Sequence, residues 1–288
     1  MKGRIIKVIS NDYTVKLENN NNIICKPRGV FRNINLTPFA GDIVEIDENN
    51  KIITNIYERK NILKRPPVTN IDNAIVVVST INPDFSSLLL DKMINIIEFN
   101  NIKPIIVITK SDLLLDDSIK NYIEYYKKIG YKVFLNTELE DIVNSIKGKT
   151  VILTGQTGVG KSSLLNRLDN NLNLKTDEIS KALGRGKHTT RAIEFYEFND
   201  TLIADTPGFS ALSFDDMTKE DIRDNTIEFN KYRDLCKYRD CMHISEDECE
   251  IKKLVDKNEI LTDRYNNYVS FIKEKENEGI SFNSKRKK

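Results

Sequence analysis

Residues 150–168 read TVILTGQTGVGKSSLLNRL. Val151–Leu153 is a short apolar run of the kind that forms a buried strand, and Ser162–Leu168 opens a helix. Between them, Gly155-Gln156-Thr157-Gly158-Val159-Gly160-Lys161-Ser162 fits G-x-x-x-x-G-K-[ST]. Strand, loop and helix in that order are the context in which the pattern cradles phosphate. The glycines let successive backbone N–H groups curl around anionic oxygens, and the helix N-terminus adds its positive dipole end. Lys161 then reaches the β/γ-phosphates of a nucleotide, and the Ser162 hydroxyl ligates Mg²⁺.

Upstream, strands and helices alternate. Strands are expected at Asn73–Thr80, Lys103–Thr109 and Lys132–Leu135, and helices at Ser86–Asn100, Ser118–Gly130 and Glu138–Ile146. Downstream, Arg191–Glu197 and Thr201–Ala204 read as strands joined by a turn at Asn199-Asp200. The pattern predicts a doubly wound α/β domain, a parallel sheet with helices on both faces.

The phosphate loop does not choose between ATP and GTP. Thr109-Lys110-Ser111-Asp112 follows the strand at Ile105–Ile108 and resembles the [NT]-K-x-D element of GTPases. There Asp112 would accept hydrogen bonds from guanine N1–H and the N2 amino group, a pair of donors adenine lacks, and the stem of Lys110 would lie over the base. The order is permuted, because the base-reading element precedes the phosphate loop by about 45 residues. A doubly wound sheet accepts this, since its ligand loops leave by one edge. Asp205-Thr206-Pro207-Gly208 matches the D-x-x-G element, with Asp205 in the Mg²⁺ shell and the Gly208 N–H sensing the γ-phosphate. Gly184–Arg191 offers Thr189 or Thr190 as the switch ligand to Mg²⁺. Phe209 stands where a Ras-like enzyme has the glutamine that orients water. His188 is therefore the candidate for that role, the alternative being a surface histidine.

Residues 1–66 carry five short strand candidates: Arg4–Ile9, Tyr13–Leu17, Asn22–Pro27, Asp42–Ile46 and Ile52–Tyr57. They point to a small barrel of OB type, although an SH3-like barrel would look much the same. Asn61–Asn70, with Pro66-Pro67, reads as a linker. The chain of 288 residues is 39% hydrophobic and 30% charged, with a formal net charge of +1. That figure hides a split: residues 1–66 hold 12 Lys/Arg against 7 Asp/Glu, residues 67–220 hold 17 against 21, and residues 221–288 hold 15 of each. A basic module beside a mildly acidic one points to an anionic partner such as RNA. No apolar run approaches the ~20 residues of a membrane span, and Met1–Ser10 lacks a signal-peptide pattern. A cytoplasmic protein without membrane contact is expected.

Past residue 210 the chain turns helical and polar, with helices expected at Lys219–Tyr232 and Asn258–Lys275 and a disordered basic tail at Ser284–Lys288. Between the helices, Cys236-x4-Cys241-x-His243-x5-Cys249 supplies three thiolates and an imidazole, the donor set of a closed structural Zn²⁺ site. Cys25 stands apart as a small core residue.

Taken together, these motifs resemble the circularly permuted ribosome small-subunit-dependent GTPases, the RsgA (YjeQ/YloQ) family, over nearly the whole chain. The resemblance implies an N-terminal OB-type barrel (1–66) that binds RNA, a permuted P-loop GTPase domain (67–220) and a helical zinc-binding domain with a basic tail (221–288). It implies GTP and GDP as ligands along Gly155–Ser163, so Ser163 joins the loop residues above. It further implies one structural Zn²⁺ and one Mg²⁺ with GTP, binding to the small (30S) subunit and its 16S rRNA, hydrolysis stimulated by that subunit, and a role in its late maturation. A monomer is expected. Thr109 departs from the usual asparagine, and Asn136-Thr137 departs from the usual second base-contacting loop. Two other readings stay open on residues alone: an RNA-binding assembly factor that holds GTP without turnover, and a P-loop ATPase or kinase.

Overall fold

The computed structural model describes residues 1–33, 36–168, 193–205 and 213–285. Five strands, β1 (Lys2–Ile9), β2 (Asp12–Leu17), β3 (Asn22–Pro27), β4 (Ile43–Asp47) and β5 (Ile52–Ile56), close into a barrel of order β1-β2-β3-β5-β4. Alternate residues such as Tyr13, Val15 and Leu17 on β2 point inward, where they meet Ile5, Cys25, Val44, Ile46 and Ile53. The β3–β5 pair is parallel while every other pair is antiparallel. The connection containing the short helix α1 (Val30–Asn33) makes this possible, and the Greek-key order is that of the OB type.

The stretch read as a linker is structured. Strands β6 (Ile62–Lys64) and β7 (Pro67–Thr69) form an antiparallel hairpin, and Leu63, Val68 and Ile71 are buried. Asn61 bridges to Ile71 through both ends of its amide, at 2.7 and 2.9 Å. Buried Asp42 of the barrel accepts from Arg59 (2.8 Å) and from Thr69 Oγ1 (2.7 Å). Pro66 lies in the turn, and Pro67 is tolerated in β7 because a two-stranded ladder consists only of edges.

The central sheet has the order β10-β9-β8-β11-β13-β12, from β8 (Asn73–Ser79), β9 (Lys103–Thr109), β10 (Lys132–Leu135), β11 (Thr150–Thr154), β12 (Phe195–Phe198) and β13 (Thr201–Asp205). All neighbours are parallel except the β12–β13 edge pair, so the sheet is mixed rather than wholly parallel. Alternation along the strands sends residues to two cores. Val76, Val78, Ile106, Ile108 and Ile152 face α2 (Ser87–Phe99) and α3 (Asp117–Ile129). Ile75, Val77, Ile105, Val151 and Leu153 face α4 (Leu139–Ile146) and α5 (Lys161–Leu168). From β8 the chain winds through β9 to β10; from β11, on the other side of β8, it moves the opposite way. The order reverses between β8 and β11, and the crevice outside their carboxyl ends is where such sheets bind ligands.

The barrel caps the antiparallel edge of this sheet. Lys7 of β1 forms an antiparallel bridge with Glu194 and an ion pair with it at 2.7 Å. Arg4 donates to Thr150 Oγ1 at 2.8 Å.

Beyond the sheet, the single helix expected at Lys219–Tyr232 is instead α6 (Lys219–Asp224), followed by 3₁₀ turns at Phe229–Lys231 and Arg233–Leu235. Polar side chains end it by bonding back to helix carbonyls: Asn225 Nδ2 to Asp221 O (2.7 Å), Thr226 Oγ1 to Ile222 O (3.0 Å) and Asn230 Nδ2 to Asp224 O (2.7 Å). Helix α7 (Glu250–Asp256) and the long α8 (Thr262–Lys285) complete the chain. Helix α8 runs through Lys285, into the tail expected to be disordered.

A buried charge network ties α8 to the sheet domain. Arg264 pairs with Asp91 of α2 and with Glu228 (2.7 Å), and all three are under 5% exposed. Asn267 donates to Asp91 Oδ2 at 2.7 Å, and Tyr126 of α3 donates to its other oxygen. Removing Arg264 strands two buried carboxylates. Arg264→Met is expected to destabilise the protein by about 3–5 kcal/mol in urea unfolding, whereas Lys219→Ala, which breaks the exposed pair with Glu276, shifts stability by under ~1 kcal/mol. A shift below ~1 kcal/mol for both variants contradicts this account of the network.

Candidate functional site: a nucleotide crevice and a metal cluster

Five parallel strands end at one edge, and the loops leaving them form the crevice. At the head of β11's loop, Gly155 has φ +147, and a Cβ there would lie 2.2 Å from the Val77 carbonyl oxygen. Only glycine fits this approach. Gly158 and Gly160 also have positive φ (+85 and +92), so the loop arches before Lys161 enters α5. Val159, buried, pins the arch to the core beneath α5. Lys161 Nζ donates to the carbonyls of Gly155 (2.8 Å) and Gln156 (3.0 Å), which holds the ammonium over the arch. Thr157 sits on the arch, and Ser162 and Ser163 lie in the first turn of α5.

The second loop is tied to the first. Thr109 Oγ1 reaches the Val159 carbonyl at 2.5 Å and that of Val78 at 3.2 Å. Lys110 has φ +58, which turns its Nζ to the carbonyls of Gly158 (3.0 Å), Ile81 (3.1 Å) and Asn82. Segments about 45 residues apart thus share one hydrogen-bond network. Asp112 is exposed, its turn closed by Leu113 N–H to Lys110 O at 3.0 Å. Ser111 Oγ donates to Asn136 Oδ1 at 2.7 Å.

Residue-by-residue reading missed this last contact. It also missed the loop after β8, whose Ile81 and Asn82 carbonyls hold Lys110 and whose Pro83 stands 3.6 Å from where a Cβ on Gly158 would be. The available signal was the Asn82-Pro83 turn directly after a buried strand.

Asp205 closes β13 in register with Leu153, beside the head of the phosphate arch. Gly208 and the segment bearing His188, Thr189 and Thr190 lie outside the described residues.

The metal cluster stands apart, between α6 and α8. The ligand atoms of Cys236, Cys241, His243 and Cys249 all lie within 4.8 Å of one another. His243 Nδ1 is 3.6 Å from Cys236 Sγ and 3.4 Å from Cys249 Sγ, and the two sulfurs are 4.0 Å apart. A tetrahedron with metal–sulfur bonds of ~2.3 Å has edges of about 3.8 Å, so the donor set fits a closed four-coordinate ion. Burial pushes the Cys241 thiol up to about 12 and lowers the His243 imidazole to about 4, the latter with help from Arg223. Burial thus favours the neutral forms of Cys241 and His243, and the ring atom of His243 that faces the sulfurs is Nδ1. A divalent ion supplies the charge that makes thiolates stable there. The Glu246 carboxylate accepts from the N–H groups of Met242 (2.7 Å) and Ile244 (2.9 Å), and Tyr265 and Tyr268 of α8 donate to the carbonyls of His243 (2.7 Å) and Met242 (2.6 Å). These contacts set the ligand loop against α8.

Comparison with known proteins covers both regions. A family model described as RsgA GTPase matches residues 56–215, and one described as RsgA N-terminal domain matches residues 2–54. The chain is 47% identical over 284 residues to the small ribosomal subunit biogenesis GTPase RsgA 2 of Oceanobacillus iheyensis, spanning 95% of this chain and 97% of that protein. It is 43% identical over 288 residues to RsgA of Bacillus subtilis, with the same coverage. Among solved structures it is similar to YloQ, a circularly permuted GTPase (TM-score 0.80, 36% identity, 96% of this chain and 95% of that one). It is also similar to YjeQ from Thermotoga maritima (TM-score 0.80, 33% identity, 95% of this chain and 98% of that one).

Proposed function

The chain belongs to the RsgA GTPase family, and from that premise we propose that it hydrolyses GTP in the crevice at the sheet edge, in the service of small-ribosomal-subunit biogenesis. The observation that carries the reading is the direct joining of Thr109 and Lys110 to the phosphate arch at Val159 and Gly158. A base read at Asp112 and phosphates held at 155–163 are then parts of one site.

In this reading the arch N–H groups and Lys161 hold the β- and γ-phosphates. Ser162 and either Thr189 or Thr190 would hold Mg²⁺, with Asp205 in its shell, and the ion would neutralise charge on the phosphate oxygens. The Gly208 N–H senses the γ-phosphate. His188 orients the attacking water in place of the glutamine that Phe209 replaces. The three thiolates and His243 hold one structural Zn²⁺. The barrel, net basic over residues 1–66, faces 16S rRNA of the 30S subunit. Docking on the subunit accelerates hydrolysis during late maturation, and the protein works as a cytoplasmic monomer. Among the described residues no helix is long and apolar enough to cross a membrane. Barrel (1–66), GTPase domain (67–220) and metal-bearing domain (221–288) remain the working division, with hairpin β6–β7 as the joint.

Single-turnover phosphate release from GTP, with and without purified small subunits, tests the proposal. Release faster with subunits is expected; identical rates remove subunit-stimulated turnover. His188→Ala should slow the stimulated step about tenfold or more while GTP affinity changes little. An unchanged rate removes His188 from the mechanism.

A further inference from the structure

Strand β8 ends at Ser79, and residues 80–86 lead from it into α2. Because β8 pairs with both β11 and β9, this loop leaves the sheet between the phosphate arch and the base loop. Two buried hydroxyls shape it. Ser79 Oγ donates to the Pro83 carbonyl at 2.6 Å and closes the loop on itself. Thr80 Oγ1 donates to the Lys110 carbonyl at 2.8 Å, and the Thr80 N–H donates to the Thr109 carbonyl at 3.2 Å. The two residues are only 2% and 3% exposed. So closed, the loop presents the Ile81 and Asn82 carbonyls to Lys110 Nζ. Lys110 is therefore gripped at both ends, backbone and ammonium, by residues 80–82.

The grip holds an unfavourable conformation. Lys110 has φ +58, in the left-handed region, which a lysine adopts only where its surroundings impose it. That residue turns the chain at the end of β9, so that Ser111 and Asp112 follow in a turn rather than prolonging the strand. The Leu113 N–H donates to the same Lys110 carbonyl at 3.0 Å, but that bond lies within the turn and travels with it. Thr80 ties the turn to the sheet.

Given that the crevice is the guanine-nucleotide site proposed above, we infer that the Ser79–Pro83 loop is a positioning element for base recognition. Thr80 holds the Lys110 backbone, and Ser79 holds the loop whose carbonyls hold the Lys110 ammonium. Neither side chain acts by touching the nucleotide. Together they keep the base loop in its binding conformation before the nucleotide arrives, so the nucleotide need not supply the free energy of turning Lys110. Without the two bonds only a fraction of the molecules is competent, and the apparent affinity falls by that fraction.

The test is equilibrium competition of GDP and ADP against a fluorescent GDP for the full-length protein and its variants. Thr80→Val keeps the side-chain shape and removes the hydroxyl, and Ser79→Ala removes the other hydroxyl. The double variant is expected to weaken GDP by at least about fivefold. ADP should weaken by a smaller factor, because adenine gains nothing from Asp112. Thr80→Ser, which keeps the donor, should bind GDP as the wild type does. A GDP loss smaller than about fivefold in the double variant overturns the inference. So does an equal loss for GDP and ADP accompanied by a lowered melting temperature, which would report a purely structural role. If the wild-type protein itself binds ADP as tightly as GDP, the guanine assignment of the whole crevice fails, and the positioning role with it.

Discussion

Asp112→Asn should abolish guanine recognition while leaving the phosphate arch able to bind. The carboxylate accepts from two donors at once; an asparagine offers one acceptor and sets an NH₂ against the N2 amino group. Sites that recognise a ligand by such matched hydrogen bonds reject a mismatched one by on the order of 10⁴. The expected result is a fall in GDP affinity of about 10³–10⁴ in the competition assay. Xanthine diphosphate, with an oxygen in place of the N2 amino group, should bind the variant better than GDP does. Asp112 is exposed, and Ser111, Lys110 and Leu113 around it are held by other contacts, so the substitution leaves the loop in place. A loss smaller than about tenfold means that the carboxylate does not read the base.

The second large effect is removal of the metal. Zinc-finger peptides gain roughly 10–16 kcal/mol of apparent free energy from their ion at neutral pH. The segment around Cys236–Cys249 contains only 3₁₀ turns and one short helix, too little regular structure to order itself. The purified protein should carry one zinc per chain. Stripping it with a strong chelator, or replacing Cys249 by Ala, should collapse hydrogen-exchange protection across 236–256. Nucleotide binding should persist, because α8 is anchored to α2 by Arg264 and Asp91 rather than by the ion. Unchanged protection in the stripped protein contradicts a structural role for the ion.

Much of this was legible from residues alone. Strands β3, β9 and β10 have the extents expected of them, because turn residues bound each of them. The phosphate arch and the Thr109–Asp112 element were legible because each is a local motif with its chemistry in consecutive residues. The cysteine spacing was legible for the same reason, and the four donors do converge. What escaped was decided by partners distant in sequence. Hairpin β6–β7 has strands of three residues, too short to show a period, and it is ordered by Asp42, Ile71 and Arg59 from outside. The early end of α6 comes from Asn225, Thr226 and Asn230 competing for helix carbonyls, which helical periodicity does not register. The contact of Asn136 with Ser111 joins residues 25 apart in the chain, and only the parallel pairing of β9 with β10 brings them together.

The central claim is that a carboxylate placed early in the chain and a phosphate arch placed later bind opposite ends of one guanine nucleotide. A crystal structure of the full-length protein with GDP tests it most directly. The account predicts the diphosphate within the arch of Gly155–Ser162 and both Asp112 carboxylate oxygens within hydrogen-bond distance of guanine N1 and N2. A diphosphate in the arch with the base turned away from Asp112 would contradict it.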